Sequence, residues 1–482
     1  MPVADEILQG LEWTANEAPA DLPRQERLRR IRHSASHVMA QAVREIFPDA
    51  KLAIGPPIEN GFYYDMELPR ALSEADLPEI EKRMRKIVAR DPQFYHSELA
   101  RERALELFRE WKQPYKIELI EGIKDAKVSL YKQDRFLDLC AGPHVSKGGI
   151  CGYFKLLSVA GAYWRGDEHK QMLQRIYGTA WETEAELAEY LQFLEDSKAR
   201  DHRKLGQQLD LFSFHPWSGG CPFWHPRGLE VREQLRRLWR ETHKKAGYIE
   251  IQNPVLYRKE LFETSGHWEH FQKDMFLVQA GAGEAGEKGE LAMALKPMNC
   301  PDTMLYYKTR QHSYRELPLR ISQGQLLHRN EPVGALHGLM RARVFSQDDA
   351  HIYLHEDQIQ EEIIRVMDLL KLIYSFFGLR YTVTLSTKPE SAMGEPELWE
   401  KAEAGLRQAL DTLKLPYKVE AGGGAFYGPK IDVMVHDSMG RQWQCGTVQL
   451  DFNQPRRFGL EFTDRDNQPR TPVVIHRALF GS

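Results

Sequence analysis

Ile321–Ala350 reads ISQGQLLHRNEPVGALHGLMRARVFSQDDA. Extended segments at its two ends flank a turn-rich middle containing Glu331-Pro332, Gly334 and Gly338, so the stretch reads as a broad hairpin. Arg329, Arg341 and Arg343 ride on it. Guanidinium forks match phosphate oxygens, which makes these arginines candidates to hold a triphosphate. Phe345 is a candidate to stack on a base, and Glu331 to accept from an exocyclic amine. The competing reading is an exposed hairpin with solvated ion pairs. Around the hairpin, strand-like runs follow at Ala350–Leu354, Tyr381–Leu385, Lys430–His436, Arg441–Leu450 and Val473–Leu479. Helical runs at Gln358–Phe377 and Glu395–Leu413 interrupt them without a β-α-β period. The expectation is an α+β fold on an antiparallel sheet, not a doubly wound one. No glycine-rich fingerprint or Walker loop occurs, so any nucleotide is held by other means.

Upstream, this domain is expected to occupy residues 209–482, opening on the basic helix Arg227–Ala246 and the strand Tyr248–Gln252. Ala280–Gly289 (AGAGEAGEKG) reads as a flexible insert. Glu182–Lys204 reads as a long polar helix, giving a linker at 186–208 and an α+β front domain at 23–185. In that front domain a helix at Gln25–Phe47 precedes the turn-rich strands of Lys51–Asp65. Helices are expected at Ala71–Arg90 and Glu98–Trp111, then short strands from Tyr115 to Gly178. Met1–Leu22 reads as an extension with little structure of its own.

The chain has 482 residues, 42% hydrophobic and 28% charged, the balance of a globular protein of two to four domains. Formal net charge is -4, which gives no support for indiscriminate nucleic-acid binding but leaves room for a local basic surface. No apolar run reaches membrane-spanning length, and no basic-then-apolar leader opens the chain. Five scattered cysteines fit a reducing compartment, so a cytoplasmic protein without membrane partners is expected.

Histidine and cysteine gather in two constellations. On the helix Gln25–Phe47, a rotation of roughly 100° per residue aligns Leu28, Ile31, Ala35, Val38, Met39, Ala42 and Ile46. It sets His33 and His37 together on the opposite face. With Cys140-x-x-x-His144 they form a set of zinc-type ligands. Two uses stay open: a Zn²⁺ that activates water, or imidazoles that position water against an ester carbonyl without metal. Asp138 faces the same side of a strand as Cys140, and Tyr64 and Lys116 are candidate hydrogen-bond or charge partners. The second constellation is Cys300, His351 and His476: three ligands and one open position, as in a zinc site that binds its substrate. Tyr427 and Gln444 add polar groups beside strands.

At this point the residues resemble the threonyl-tRNA synthetases, class II aminoacyl-tRNA synthetases. The resemblance is carried by HSASH (33–37), CAGPH (140–144), Ser158–Trp181, GYIEIQNPVL (247–256), LKPMNCP (295–301), HRNEP (328–332), HGLMRARVFSQDDAH (337–351), YGPKID (427–432), QWQCGTVQLDF (442–452) and VVIHRALFGS (473–482). It implies ATP-dependent activation of threonine, with Mg²⁺ accompanying ATP, and transfer to the terminal ribose of tRNA(Thr). Cys300, His351 and His476 match the family's zinc ligands. Asp349, Gln347 and Tyr427 match threonine-pocket positions, Arg329 the α-phosphate arginine and Arg341 a γ-phosphate contact. Glu331 and Phe345 match adenine contacts, Gln444 is grouped with the ATP site, and His267 matches a histidine that assists transfer. His33, His37, Cys140 and His144, with Asp138, Tyr64 and Lys116, match an editing site that hydrolyses Ser-tRNA(Thr); there the resemblance favours water without a required metal. A homodimer through Tyr248–Pro254 is also implied.

Departures accompany the resemblance: Pro301-Asp302-Thr303 stands where many members have Pro-Gly-His, Leu327 where many have cysteine, and two are larger. Bacterial members begin with a β-grasp domain, for which the residues before the first helix leave no room. They also continue past Gly481-Ser482 into the motif 3 arginine helix and an anticodon-binding domain. The expectation is a chain that ends within a longer synthetase. The alternative is a shortened synthetase acting mainly as a trans-editing deacylase.

Overall fold

The computed structural model describes residues 3–19, 21–167, 169–279 and 292–480. The expected insert Ala280–Gly289 lies outside the described residues. The chain divides into two compact units, Met1–Asp196 and Ser197–Ser482.

The first unit is organised by the helix Arg24–Ile46. Its apolar stripe, including Val38, Met39 and Ala42, packs with Phe62, Tyr64, Phe154 and Ile176 in one buried cluster. Phe62 and Tyr64 belong to the strand Gly61–Glu67, which pairs antiparallel with Met172–Trp181 in a five-stranded sheet. A second, four-stranded sheet carries Phe94–Ala100, Lys127–Gln133 and Phe136–Leu139. The helix is not amphipathic in the expected sense, because every residue from Ile31 to Val43 is buried. The histidine face is roofed by the Cys140–Val145 segment: His144 stacks on His33 with ring centroids 4.2 Å apart.

Four expectations need correction; one is the start of the Tyr115–Gly178 run, which is the helix Pro114–Glu121 and not a strand. Residues 3–9 form a helix whose Ala4 and Ile7 enter a core with Leu107, Ile120 and Leu130, and Thr14–Ala15 pairs with the strand Phe94–Ala100. The polar composition of Met1–Leu22 hid these few anchoring residues. Glu98–Ala100 is strand, the helix running only from Arg101 to Glu110. The polar helix expected over Glu182–Lys204 is two helices, Glu184–Ala199 and His202–Gln208, because the Asp201 side chain caps the backbone N–H of Arg203 and starts a new one.

The second unit is built on an eight-stranded sheet in the spatial order Ile249–Glu250, Leu319–Gln323, Asp349–Leu354, Val473–Ala478, Gln442–Asp451, Lys430–His436, Arg380–Ser386, Tyr417–Glu420. All internal pairs are antiparallel; only the two edge strands join in parallel. The helices Ile359–Phe376 and Pro396–Thr412 bury Ile363, Leu370, Leu406 and Leu410 with sheet residues Ile352, Ile431, Val448 and Ile475 in one core. The broad hairpin exists as Leu326–His328 paired with Val344–Ser346. Its tip residues 329–343 hold no longer strand.

Candidate active and editing sites

Strand register assembles the rear constellation. His351 stands directly opposite His476 on neighbouring antiparallel strands, ring centroids 4.8 Å apart. Cys300 opens the helix Cys300–Tyr307. The ligand atoms of Cys300, His351 and His476 all lie within 4.8 Å of one another, and all three residues are buried. A carboxylate that sequence reasoning missed orients one of them. Asp451 Oδ2 is 2.9 Å from His476 Nε2, while its Oδ1 accepts from the N–H groups of Asn453 and Gln454. An ionised carboxylate only accepts, so Nε2 carries the proton and Nδ1 keeps its lone pair. That Nδ1 is buried with no hydrogen-bond partner. Such an orphan is costly unless something binds it. A soft thiol, two imidazoles and a carboxylate behind one of them suit zinc. The signal in sequence was the aspartate of VQLDF, silent without knowledge of the pairing.

These residues open onto a cavity of about 470 Å³ that Arg329, Gln347, Asp349, Tyr427 and Gln444 also line. Eight sequence-selected residues therefore share one space. Arg329 lies between Phe271 and Phe345, its guanidinium carbon 5.8 and 5.1 Å from the two ring centroids. Its Nε donates to Pro297 O at 3.2 Å. Among the described residues no carboxylate lies within ion-pair distance of it. Burial pulls its pKa down, the unpaid desolvation of a cation facing the cavity. Burial likewise raises the Asp349 carboxyl, against an opposing hydrogen bond from Asn299 Nδ2 at 2.9 Å. Asn299 and Cys445, which also faces the cavity, were not singled out in the sequence.

Glu331 and Arg341 do not line the cavity; they pair with each other at 2.8 Å, while Arg343 Nε holds the Glu331 carbonyl at 2.9 Å. His267 is likewise outside the cavity lining. It is fully buried, with Nδ1 2.8 Å from Ser265 Oγ and Nε2 3.5 Å from Cys300 Sγ. Burial lowers its pKa to about 3, so it is a neutral ring beside the thiol.

The front constellation is equally compact: the ligand atoms of His33, His37, Cys140 and His144 lie within 4.8 Å of one another. Cys140 Sγ is 3.2 Å from His33 Nε2 and 3.3 Å from His144 Nε2. Ser34 Oγ, 3.0 Å from His144 Nδ1, fixes that ring and was not foreseen. Asp138 sits 2.6 Å from Lys116 Nζ, accepts from Tyr64 Oη at 2.5 Å, and lies 3.7 Å from His37 Nε2. Burial dominates the titration here. His33 is pushed down to about 4, His37 and His144 also go down, and Cys140 is pushed up to about 12. At neutral pH the imidazoles are free bases and the thiol keeps its proton, so this cysteine is a poor nucleophile. His37 Nδ1 is buried with no hydrogen-bond partner among the described residues.

Residues 128–177 match the family described as the second additional domain of threonyl and alanyl tRNA synthetases, and residues 284–482 the class II tRNA synthetase core domain of the G, H, P, S and T enzymes. A threonine–tRNA ligase of Desulforamulus reducens is 52% identical over 452 residues, 94% of this chain and 70% of its own length. One from Clostridium tetani is 50% identical over 453 residues, with the same coverage. Among solved structures, the RNA binding domain of threonyl-tRNA synthetase from Cryptosporidium parvum aligns with TM-score 0.56 and 42% identity, covering 59% of this chain and 70% of that one. A threonyl-tRNA synthetase from Aeropyrum pernix, titled as putative, aligns with TM-score 0.51 and 31% identity, covering 59% and 67%. A class II core on an antiparallel sheet, a second additional domain and half-identity to ligases of one specificity agree: the chain belongs to the threonine–tRNA ligase family.

Proposed function

We propose that the chain activates L-threonine with ATP in the 470 Å³ cavity, transfers it to tRNA(Thr), and hydrolyses Ser-tRNA(Thr) at the His33/His37/Cys140/His144 group. The observation that carries the first half is Arg329, a partly buried guanidinium with no carboxylate at ion-pair distance among the described residues, in a cavity it shares with a zinc-type ligand set. It grips the α-phosphate, where charge grows as the adenylate forms. Phe345, beneath the same guanidinium, flanks the adenine, and Glu331 accepts from its amino group. Arg341 leaves Glu331 for the γ-phosphate when ATP with Mg²⁺ enters. Cys300, His351 and His476 would hold Zn²⁺, which when bound supplies coordination for the amino and hydroxyl groups of threonine and so rejects valine. Asp349 accepts the hydroxyl's hydrogen, Asn299 keeps that carboxylate aimed, and Gln347, Tyr427 and Gln444 close the pocket. His267, a neutral ring behind Cys300, assists transfer to the ribose.

Serine keeps both coordinating groups and lacks one methyl, worth roughly 1–3 kcal/mol of discrimination at most. A second hydrolytic sieve is required, and the front group has the chemistry for it. Neutral His33 and His37 hold and deprotonate a water; Lys116 and Tyr64 fix Asp138, which orients His37. The protonated thiol of Cys140 favours water over a covalent ester intermediate. We infer a homodimer through Tyr248–Pro254, where Ile249 is 44% exposed on an edge strand, and a cytoplasmic setting. No helix among the described residues is long and apolar enough to cross a membrane.

ATP–pyrophosphate exchange tests the first half: exchange with threonine that is lost in Arg329→Ala supports it, and exchange undiminished in that variant refutes the role of Arg329. Release of serine from Ser-tRNA(Thr), slowed in His37→Ala, tests the second.

A further inference from the structure

A second cavity in the first unit, about 530 Å³, is lined by Arg24, Arg29, Arg32, Glu59, Asn60 and Trp181. It offers three guanidinium groups against one carboxylate, and the three are engaged to different degrees. Arg24 is paired with Glu186 at 2.8 Å. Arg32 is 5% exposed, lies 4.8 Å over the Trp181 ring and, among the described residues, donates only to the carbonyls of Ala180 and Glu59. Among the described residues no carboxylate lies within ion-pair distance of Arg32. Among the described residues Arg29, half exposed, reaches only Glu26, at 3.4 Å, a loose surface pair that an incoming anion can replace at little cost.

The place of this cavity on the helix gives it meaning. Arg29, His33 and His37 follow one another at steps of four and so lie along one stripe of the helix Arg24–Ile46. Arg29 is one turn before His33, roughly 6 Å along the axis. That is about the length of a single sugar from its 3′ oxygen to its 5′ phosphate. An ester carbonyl held against His33 and His37 through a 3′ oxygen therefore sends the 5′ phosphate of its own nucleotide toward Arg29.

We propose that the Arg24/Arg29/Arg32 cavity is a phosphate subsite that grips the 5′ phosphodiester of the terminal nucleotide while its aminoacyl ester is edited. The idea rests on the editing reading of the histidine group and adds to it the group that anchors the RNA. Arg32, fixed by Trp181 and two carbonyls, supplies the standing charge. Arg29 moves from Glu26 to the phosphate and makes the direct contact. Its worth is that of a charge-assisted hydrogen bond, about tenfold in affinity.

The test uses two non-hydrolysable amides, 3′-serylamino-3′-deoxyadenosine with and without a 5′-phosphate, titrated calorimetrically into the full chain. The unaltered protein is expected to bind the phosphorylated amide about tenfold tighter, with the gap closing as KCl is raised. Arg29→Ala should bring the two affinities within about twofold, and Arg29→Lys should keep part of the gap. Equal affinities in the unaltered protein, or a full gap in both Arg29→Ala and Arg24→Ala, overturn the subsite while leaving the editing reading standing. Binding of neither amide overturns both. Because each protein is read as a ratio, a general loss of fold does not mimic the expected result.

Discussion

Asp451 serves two ends, a backbone turn and the imidazole of His476. It is wholly shielded from solvent, and two backbone N–H groups lock one of its oxygens. The other fixes the imidazole tautomer and frees Nδ1 for a metal. Asp451→Asn keeps the shape but offers an amide whose N–H₂ group can point at Nε2, so the tautomer is no longer enforced. The expected result is a loss of zinc affinity of about 10–100-fold, read by competition with a chromophoric chelator. Retention of full affinity would show that the carboxylate only caps the turn at Asn453. Cys300→Ser goes further: it removes the soft ligand, and elemental analysis should show zinc lost from the chain. At Arg329 the argument is different. The partly buried cation is stabilised by two aromatic faces, and among the described residues no carboxylate lies at ion-pair distance from it. Arg329→Ala should lower the rate of pyrophosphate exchange by about 10²–10³, the worth of one preorganised donor at a charged transition state.

At the scale of elements, the two sites rest on one helix and one strand register. Much of this was legible. The period of Leu28, Ile31, Ala35, Val38 and Ala42 marks the helix and sets His33 beside His37. Sequence could not say that the histidine face is buried too, because the roof comes from Cys140–Val145, more than a hundred residues away. The same non-local pairing hid Asp451 and Ser34. The Met1–Leu22 segment was misjudged because Ala4 and Ile7 are a weak apolar signal until a partner sheet is known. The break at Asp201 was in plain sight as a helix-capping residue, yet continuous polar composition outweighed it. Apart from both sites, a tight backbone approach occurs at Gly228, in the helix Pro226–Lys245, where a Cβ would lie 1.9 Å from the Leu211 carbonyl oxygen. Backbone cannot yield as a side chain does, so Gly228→Ala must push the helix off the segment before it. A lowered urea midpoint, corresponding to about 1–3 kcal/mol, is expected. An unchanged midpoint would mean that the Leu211 segment shifts freely.

In the whole molecule, two sites in two units apply different physics to one choice. In the proposed function the rear pocket reads which groups an amino acid carries, and its discrimination is steep where a coordinating group is missing. Against serine it has only a methyl to work with, so errors at the level of roughly 1–3 kcal/mol pass through. The front site sees those errors as esters, and its neutral imidazoles and protonated thiol suit water attack at pH 7. Lesions in the two units should therefore have opposite signatures. If the rear pocket holds zinc as proposed, a chelator should silence it: exchange should fall for threonine and serine alike, with little product of either kind. Replacing His37 by alanine leaves an ester-forming pocket without its corrector. In the presence of excess serine, Ser-tRNA(Thr) should then accumulate to a level set by the rear pocket alone, up to about one part in ten to two hundred of the threonyl product at equal concentrations. The measurement is the seryl-to-threonyl ratio on tRNA(Thr) by acid gel or mass spectrometry. A ratio in His37→Ala no higher than in the unaltered chain would mean that the rear pocket rejects serine unaided. The front constellation would then need another purpose.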